Sequence, residues 1–267
     1  IFRGFRASRL QFIGNAWRQA NTVRTEYLEF ITKADISTAV CETFLKFIGD
    51  SYIWDEFLIC DIVKDSDTYN AINNKDITGH WHVLKRDFDF GVKINTQGAF
   101  PSYLSSLGKG TRLKLFNRRS MIEKIGDFKV KGVKQSEIDP FFTHLNEFHQ
   151  ERWGQHCFNN EGLEFHNRFL TSITNEGNLK LSFLELDGRI ISVLYNIKMG
   201  RTVFNLQSGF IEDFNKKISL GTLHLGFSIE DAFNECSTDN FDLLAGEGKN
   251  SFYKENFKGE EVEFLTM

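Results

Sequence analysis

Proline is nearly absent from this sequence, with two residues in 267, which excludes collagenous and proline-rich linker chains. Disorder is excluded too, because hydrophobic residues make up 41% of the chain. No run of about 18 apolar residues occurs, so no membrane-spanning helix is expected. Cysteine is sparse: Cys41, Cys60, Cys157 and Cys236 lie far apart without a CxxC pair. That spacing fits a reduced, cytoplasmic chain rather than a disulfide framework. No leader pattern is evident, and Ile1-Phe2-Arg3-Gly4 reads like the interior of a strand, so sequence upstream of Ile1 is expected.

Familiar catalytic signatures are missing as well. Gly246-Glu247-Gly248-Lys249-Asn250 lacks the upstream glycine and the Ser/Thr of a P-loop. There is no GxSxG elbow for a serine nucleophile and no HExxH for zinc. His80 and His82 share a strand face without a third ligand, so no metal is expected. A net charge of −4 disfavours a strongly cationic nucleic-acid binder.

Phenylalanine is what the chain has in excess, 28 residues against 6 Tyr and 4 Trp, which implies a large aromatic core. The reading is a mixed α/β protein in three segments. In residues 1–98, stretches 5–13 and 24–31 alternate as strands do. Asp35 is a plausible cap for a helix through Ala39, Phe44, Leu45 and Ile48, ended by Gly49. The apolar run 56–63 suits a strand buried on both faces. Residues 99–153 read as helical: Pro101 suits a first turn, and Ser136 with Asp139 resembles a capping box. This segment holds a basic stretch, Lys109 to Lys134, with nine Lys or Arg against two acids. Its local +7 leaves −11 elsewhere. Residues 154–267 read as a fresh α/β unit, with a helix near 163–174 and strands 180–186, 189–198 and 202–210. Asp187-Gly188 between the first two signals a hairpin. A helix over 219–234 and strands 241–245 and 261–267 follow. The order strand, strand, helix, strand recurs in the two ends of the chain, which suggests a duplicated fold.

Three places could carry chemistry. Ser219-Leu220-Gly221-Thr222 opens a helix, whose free N–H groups and positive dipole end suit a phosphate, with Lys216 and Lys217 just upstream. An ordinary capped helix beside a solvated lysine pair fits the same residues. His149, Arg152 and Trp153 project from neighbouring turns of one helix, either lining a cleft or sealing the core. Glu247, at the end of a strand and followed by Tyr253 and Lys254, could deprotonate an amine or stand solvated in a loop.

An ordered set of short motifs resembles the CelD/BcsL-type acetyltransferases of the GNAT superfamily. It comprises Pro101-Ser102-Tyr103-Leu104-Ser105-Ser106-Leu107 with the Arg-rich helix after it, Phe148-His149 with Arg152-Trp153, Phe165-His166 and 184–189. Gln207-Ser208-Gly209-Phe210, 219–222 and 241–247 with Tyr253-Lys254 complete it, over about residues 100 to 257. The resemblance implies tandem GNAT-like units, related to Fem-type transferases: an N-terminal unit 1–98 lacking its opening elements, a helical connection 99–153, and an acyl-CoA-binding unit 154–267. It implies acetyl-CoA or a longer acyl-CoA as co-substrate, held by Gln207, Ser208, Gly209, Lys217, Ser219, Gly221 and Thr222. His149, Arg152 and Trp153 would position an acceptor, a small amine or hydroxyl of an amino sugar or polysaccharide precursor. Glu247, Tyr253 and Lys254 would be catalytic. Two departures stand out: Gly248–Phe252 lengthens the loop before Tyr253, and Leu220 replaces a proline. The alternatives are Fem-like transfer from aminoacyl-tRNA, the only reading with a nucleic-acid partner, and a silent binding module.

Overall fold

The computed structural model describes residues 7–14, 24–51, 53–173, 175–246 and 253–267. Its strands are β1 (Arg9–Gln11), β2 (Glu56–Leu58), β3 (Ile62–Val63), β4 (Asp87–Asn95), β5 (Phe128–Gly132), β6 (Ser182–Leu186), β7 (Arg189–Met199), β8 (Thr202–Phe210), β9 (Asn240–Asp242) and β10 (Glu260–Thr266). The helices are α1 (Ser37–Ser51), α2 (Asp67–Asn73), α3 (Lys75–Thr78), α4 (Phe100–Ser106), α5 (Lys109–Arg112), α6 (Arg119–Ile122), α7 (Ile138–Trp153), α8 (Asn160–Ser172) and α9 (Leu220–Asn234). The chain divides into two compact units, one of residues 1–91 with 262–267, the other of 92–261.

In the first unit β1 runs parallel to β2, and β3 pairs antiparallel with β10. Cys41, Leu45, Ile59, Ile62, Ile72 and Leu265 form its core. The expected strand 24–31 is not formed. Tyr27 takes a positive φ of 60°, which breaks an extended run. Arg24 is drawn to Asp61 at 2.6 Å and to Asp89 at 2.6 Å. Residues 56–63 do not make one strand either, since Asp61, at φ 49°, separates β2 from β3. Asp35 lies inside a 3-10 turn, Ala34–Ile36, instead of capping the helix. Gly49 does not end α1, which runs on to Ser51. A side chain at Gly49 would come 3.2 Å from the Trp81 ring.

The second unit is built on a sheet whose strands from Val92 onward run β4–β9–β8–β7–β6–β5. Asp187 and Gly188 both have positive φ, 49° and 76°, the geometry of a tight hairpin turn between β6 and β7. Strand β5 corrects the helical reading of 99–153, pairing Phe128 to Gly132 antiparallel with Leu186 to Ser182. That segment is no separate connector. Phe100, Leu104, Leu107 and Leu115 share a core with Leu194, Leu225, Ile229 and Phe241. The expected capping box at Ser136 and Asp139 is replaced by Glu137, whose carboxylate accepts the Lys134 N–H at 3.1 Å.

Helices α7 and α9 serve two different clusters of side chains from this sheet. Phe141, Phe142 and Leu145 of α7 join Phe183, Val193 and Tyr195 in one cluster. From α9, Leu225 and Ile229 pack with Leu194. Gly226 lets α9 approach the Leu115 carbonyl, within a π-helical turn over Leu113–Asn117, closer than any side chain would allow.

Candidate active site

Three stretches far apart in sequence meet on the second half of β8. This strand pairs in parallel with β9 only from Thr202–Asn240 to Phe204–Asp242. Its antiparallel register with β7 shifts between Tyr195 and Asn196, leaving Leu206 as an extra residue on β8. A bulge of this kind bends and twists its strand. Past it β8 continues to Phe210, beyond its last pairing with β9.

The backbone direction there can be read from the ladder. Ile211 N–H donates to the Ile191 carbonyl at 3.1 Å, and Ser192–Phe210, Val193–Gly209 and Leu194–Ser208 follow in the same register. Antiparallel pairs alternate between bonded and non-bonded, so Gly209 turns its N–H and C=O toward β7. Ser208 and Phe210 turn theirs away, to the edge that β9 no longer covers.

Helix α7 closes on this stretch from one side. A Cβ at Gly209 would lie 3.1 Å from Phe148 and 3.2 Å from Leu145, so glycine is needed for that approach. The His149 Nε2–H donates to the Ser208 carbonyl at 3.1 Å. Burial lowers the His149 pKa and Arg152 adds to the effect, against the Ser208 bond that raises it. A neutral imidazole keeps Nδ1 as a proton acceptor. The Arg152 guanidinium stands 4.8 Å from the Phe210 ring and 4.9 Å from that of Trp153, itself 45% exposed.

Helix α9 closes from the other side. No side chain caps its start: the Ser219 hydroxyl is bonded to that of Thr222 at 3.0 Å, and the first helical bond is Leu223 N–H to the Ser219 carbonyl. The first-turn N–H groups therefore keep their attraction for an anion. Lys217 is exposed, its N–H bonded to the Asn215 side chain at 2.8 Å. Leu220 is buried with Ile122, Ile218 and Leu223 and anchors this turn by packing. Gly221 makes room for protein: a Cβ there would lie 2.5 Å from the Phe210 ring.

The structure thus brings together His149, Arg152, Ser208, Gly209 and Gly221, with Phe210 as the common neighbour. Gln207 pairs with Tyr195 one step along the strand. Lys254 sits at the end of β9, where its ammonium donates to the carbonyls of Leu244 at 2.9 Å and Ala245 at 2.8 Å. Glu247, the loop 248–252 and the side chain of Tyr253 lie outside the described residues. Sequence reasoning missed Phe210 as the hub, and it missed His224 on α9, which is fully buried between two serines. The signal for His224 was its setting, a lone imidazole in Leu223-His224-Leu225 opposite apolar strands that each hold one serine.

A family model described as an acetyltransferase (GNAT) domain matches residues 110–258. The chain belongs to this family and is a GNAT-type transferase. In fold it is similar to the crystal structure of FemX, with a TM-score of 0.60 at 12% identity, over 89% of this chain and 78% of that one. It is also similar to L-PGS from Bacillus licheniformis, with a TM-score of 0.51 at 13% identity, over 88% and 74%. No curated protein matches the sequence significantly. Among the described residues no helix is long and apolar enough to cross a membrane.

Proposed function

We propose that this chain, as a CelD/BcsL-type member of the superfamily, transfers an acyl group from acetyl-CoA or a longer acyl-CoA to an amine or hydroxyl. The acceptor would be a small molecule such as an amino sugar or a polysaccharide precursor. GNAT domains typically use acyl-CoA, and the observation that carries the reading here is the end of β8–β9 pairing at Phe204–Asp242 beside the uncapped start of α9. An acyl-pantetheine arm would lie along the edge of β8 that β9 leaves uncovered among the described residues, with its thioester carbonyl toward the Phe210 N–H. A donor fixed in advance at that oxygen stabilises the charge that develops on it. The pyrophosphate would take the first turn of α9, at Ser219 to Thr222, with Lys217 nearby.

The acceptor attacks the thioester carbonyl directly, the C–S bond breaks, and the acceptor loses one proton. Glu247 would take that proton, with His149 Nδ1 as a second base within the described site. Arg152 and Trp153 would orient the acceptor. Tyr253 would act beside Glu247, and Lys254 would hold the strand end through the Leu244 and Ala245 carbonyls. Acetyl-CoA at about 100 times its Kd should stabilise the protein by ~2.7 kcal/mol in thermal unfolding. No shift with acetyl-CoA or a longer acyl-CoA would remove the reading.

Transfer from aminoacyl-tRNA is the second reading, favoured by the basic stretch, where Lys109, Lys114, Lys124 and Lys134 are exposed. Steeply salt-dependent tRNA binding without any response to acyl-CoA would promote it.

A further inference from the structure

Behind the edge of β8 that β9 leaves uncovered among the described residues lies a buried chain of side chains to which the proposed function assigns no role. On β6, Ser182 Oγ is 2.9 Å from His224 Nε2, and on β7, Ser192 Oγ is 2.9 Å from His224 Nδ1. Ser192 Oγ in turn donates to the Gly209 carbonyl on β8 at 3.1 Å. His224 and Ser192 are both 0% exposed.

The protons in this chain can be assigned from its last link. A carbonyl can only accept, so the Ser192 hydroxyl proton goes to Gly209 and the Ser192 oxygen must accept from His224. Nδ1 therefore carries a hydrogen. Burial holds the imidazole neutral, its pKa pushed down to about 3, so Nε2 is bare and accepts from Ser182. Every bond then points the same way: Ser182 to His224, His224 to Ser192, Ser192 to Gly209.

The end of the chain lies where the proposed chemistry needs it. The Gly209 carbonyl and the Phe210 N–H belong to one peptide group, and the Phe210 N–H faces the edge past β9. Hydrogen bonds in sequence polarise one another. Withdrawing electron density at the carbonyl strengthens the N–H at the other end of the amide. We infer that His224 is a positioning residue: through Ser192 it orients and polarises the Gly209–Phe210 peptide so that the Phe210 N–H binds the acyl carbonyl. This role rests on the acyl-CoA reading; the hydrogen placement in the chain does not.

Two measurements test the inference apart from that reading. Nitrogen-15 NMR of the imidazole should show His224 with Nδ1 protonated and Nε2 bare; an Nε2–H tautomer would overturn it. Binding is then measured for acetyl-CoA and for S-ethyl-CoA, a thioether that lacks the carbonyl oxygen. The protein should prefer acetyl-CoA ~5-fold, as one hydrogen bond allows. Ser192→Ala should lower the preference to about half or less while leaving S-ethyl-CoA affinity unchanged. Ser182→Ala, which perturbs the far end, should lower it less, and thermal unfolding checks that each variant is folded. An undiminished preference in Ser192→Ala, or equal binding of both ligands by the unaltered protein, would overturn the inference. Binding of neither ligand would remove the acyl-CoA reading and this role with it, whichever tautomer the NMR shows.

Discussion

The α7 cluster and the α9 cluster of the second unit solve the same packing problem with different chemistry. The α7 cluster is aromatic: Phe141, Phe142, Phe183 and Tyr195 meet edge-to-face or tilted at ring centroids 5.6 to 6.0 Å apart. Around α9 a polar row replaces part of the grease. There Asn196 donates to Ser228 at 2.7 Å and accepts from Asn205 at 2.7 Å, and His224 bridges its two serines. Apolar packing is tolerant of exact direction, whereas hydrogen bonds fix it. The aromatic cluster thus holds β8 in place, and the polar one sets how the β8 backbone is oriented where β9 falls away.

Substitutions can break this contrast, and the largest effect should come from the aromatic cluster. Phe141→Ala, at a fully buried position, should cost ~3–5 kcal/mol in urea unfolding. Acid comes next, because each cluster contains a histidine held neutral by burial, His166 with a pKa pushed down to about 4 and His224 to about 3. The unfolded chain takes up these protons near pH 6.5 and the folded one does not. Stability is therefore complete above that pH and falls as pH drops below it, leveling for His166 near 4, with a loss of about 3 kcal/mol. His166→Phe should flatten this part of the pH profile.

Third in size is Asn196→Ala, expected to cost ~1–3 kcal/mol by leaving Ser228 and Asn205 without their partner. Gly221→Val should weaken acetyl-CoA binding at least ~10-fold by displacing Phe210. Because the ring is what a side chain there would meet, Gly221→Val combined with Phe210→Leu should recover part of the loss, a coupling that a double-mutant cycle in isothermal titration measures. The smallest effect belongs to Lys217→Ala, ~2- to 3-fold in acetyl-CoA affinity and vanishing at high salt, as befits an exposed charge.

Much of the second unit was legible because its signals are local. Asp187-Gly188 specified a turn, alternation marked β6 to β8, and Ser219 to Thr222 marked the start of α9. The first unit was harder to read. The alternation in 24–31 lost to tertiary demands: Arg24 pairs with Asp61, and the Phe30 ring stacks on Phe44 at 5.0 Å. Strand β5 was hidden because Phe128 to Gly132 follows helical residues and gains its partner, β6, only across about 55 residues of chain. Within the site, the residue types suited to binding were visible in sequence, but their convergence on Phe210 was not. Gly221 illustrates the difference: a glycine at a helix start suggests room for a ligand, whereas its space is filled by an aromatic ring.

The central claim is that acyl-CoA occupies the edge of β8 left open by β9 and the first turn of α9. Amide hydrogen exchange with and without saturating acetyl-CoA tests it directly. The account predicts slowed exchange at Ser208, Phe210 and the Leu220–Thr222 turn, with little change along the paired part of β8, Thr202 to Phe204. Unchanged exchange at those positions with acetyl-CoA bound, or protection confined to other segments, would contradict it.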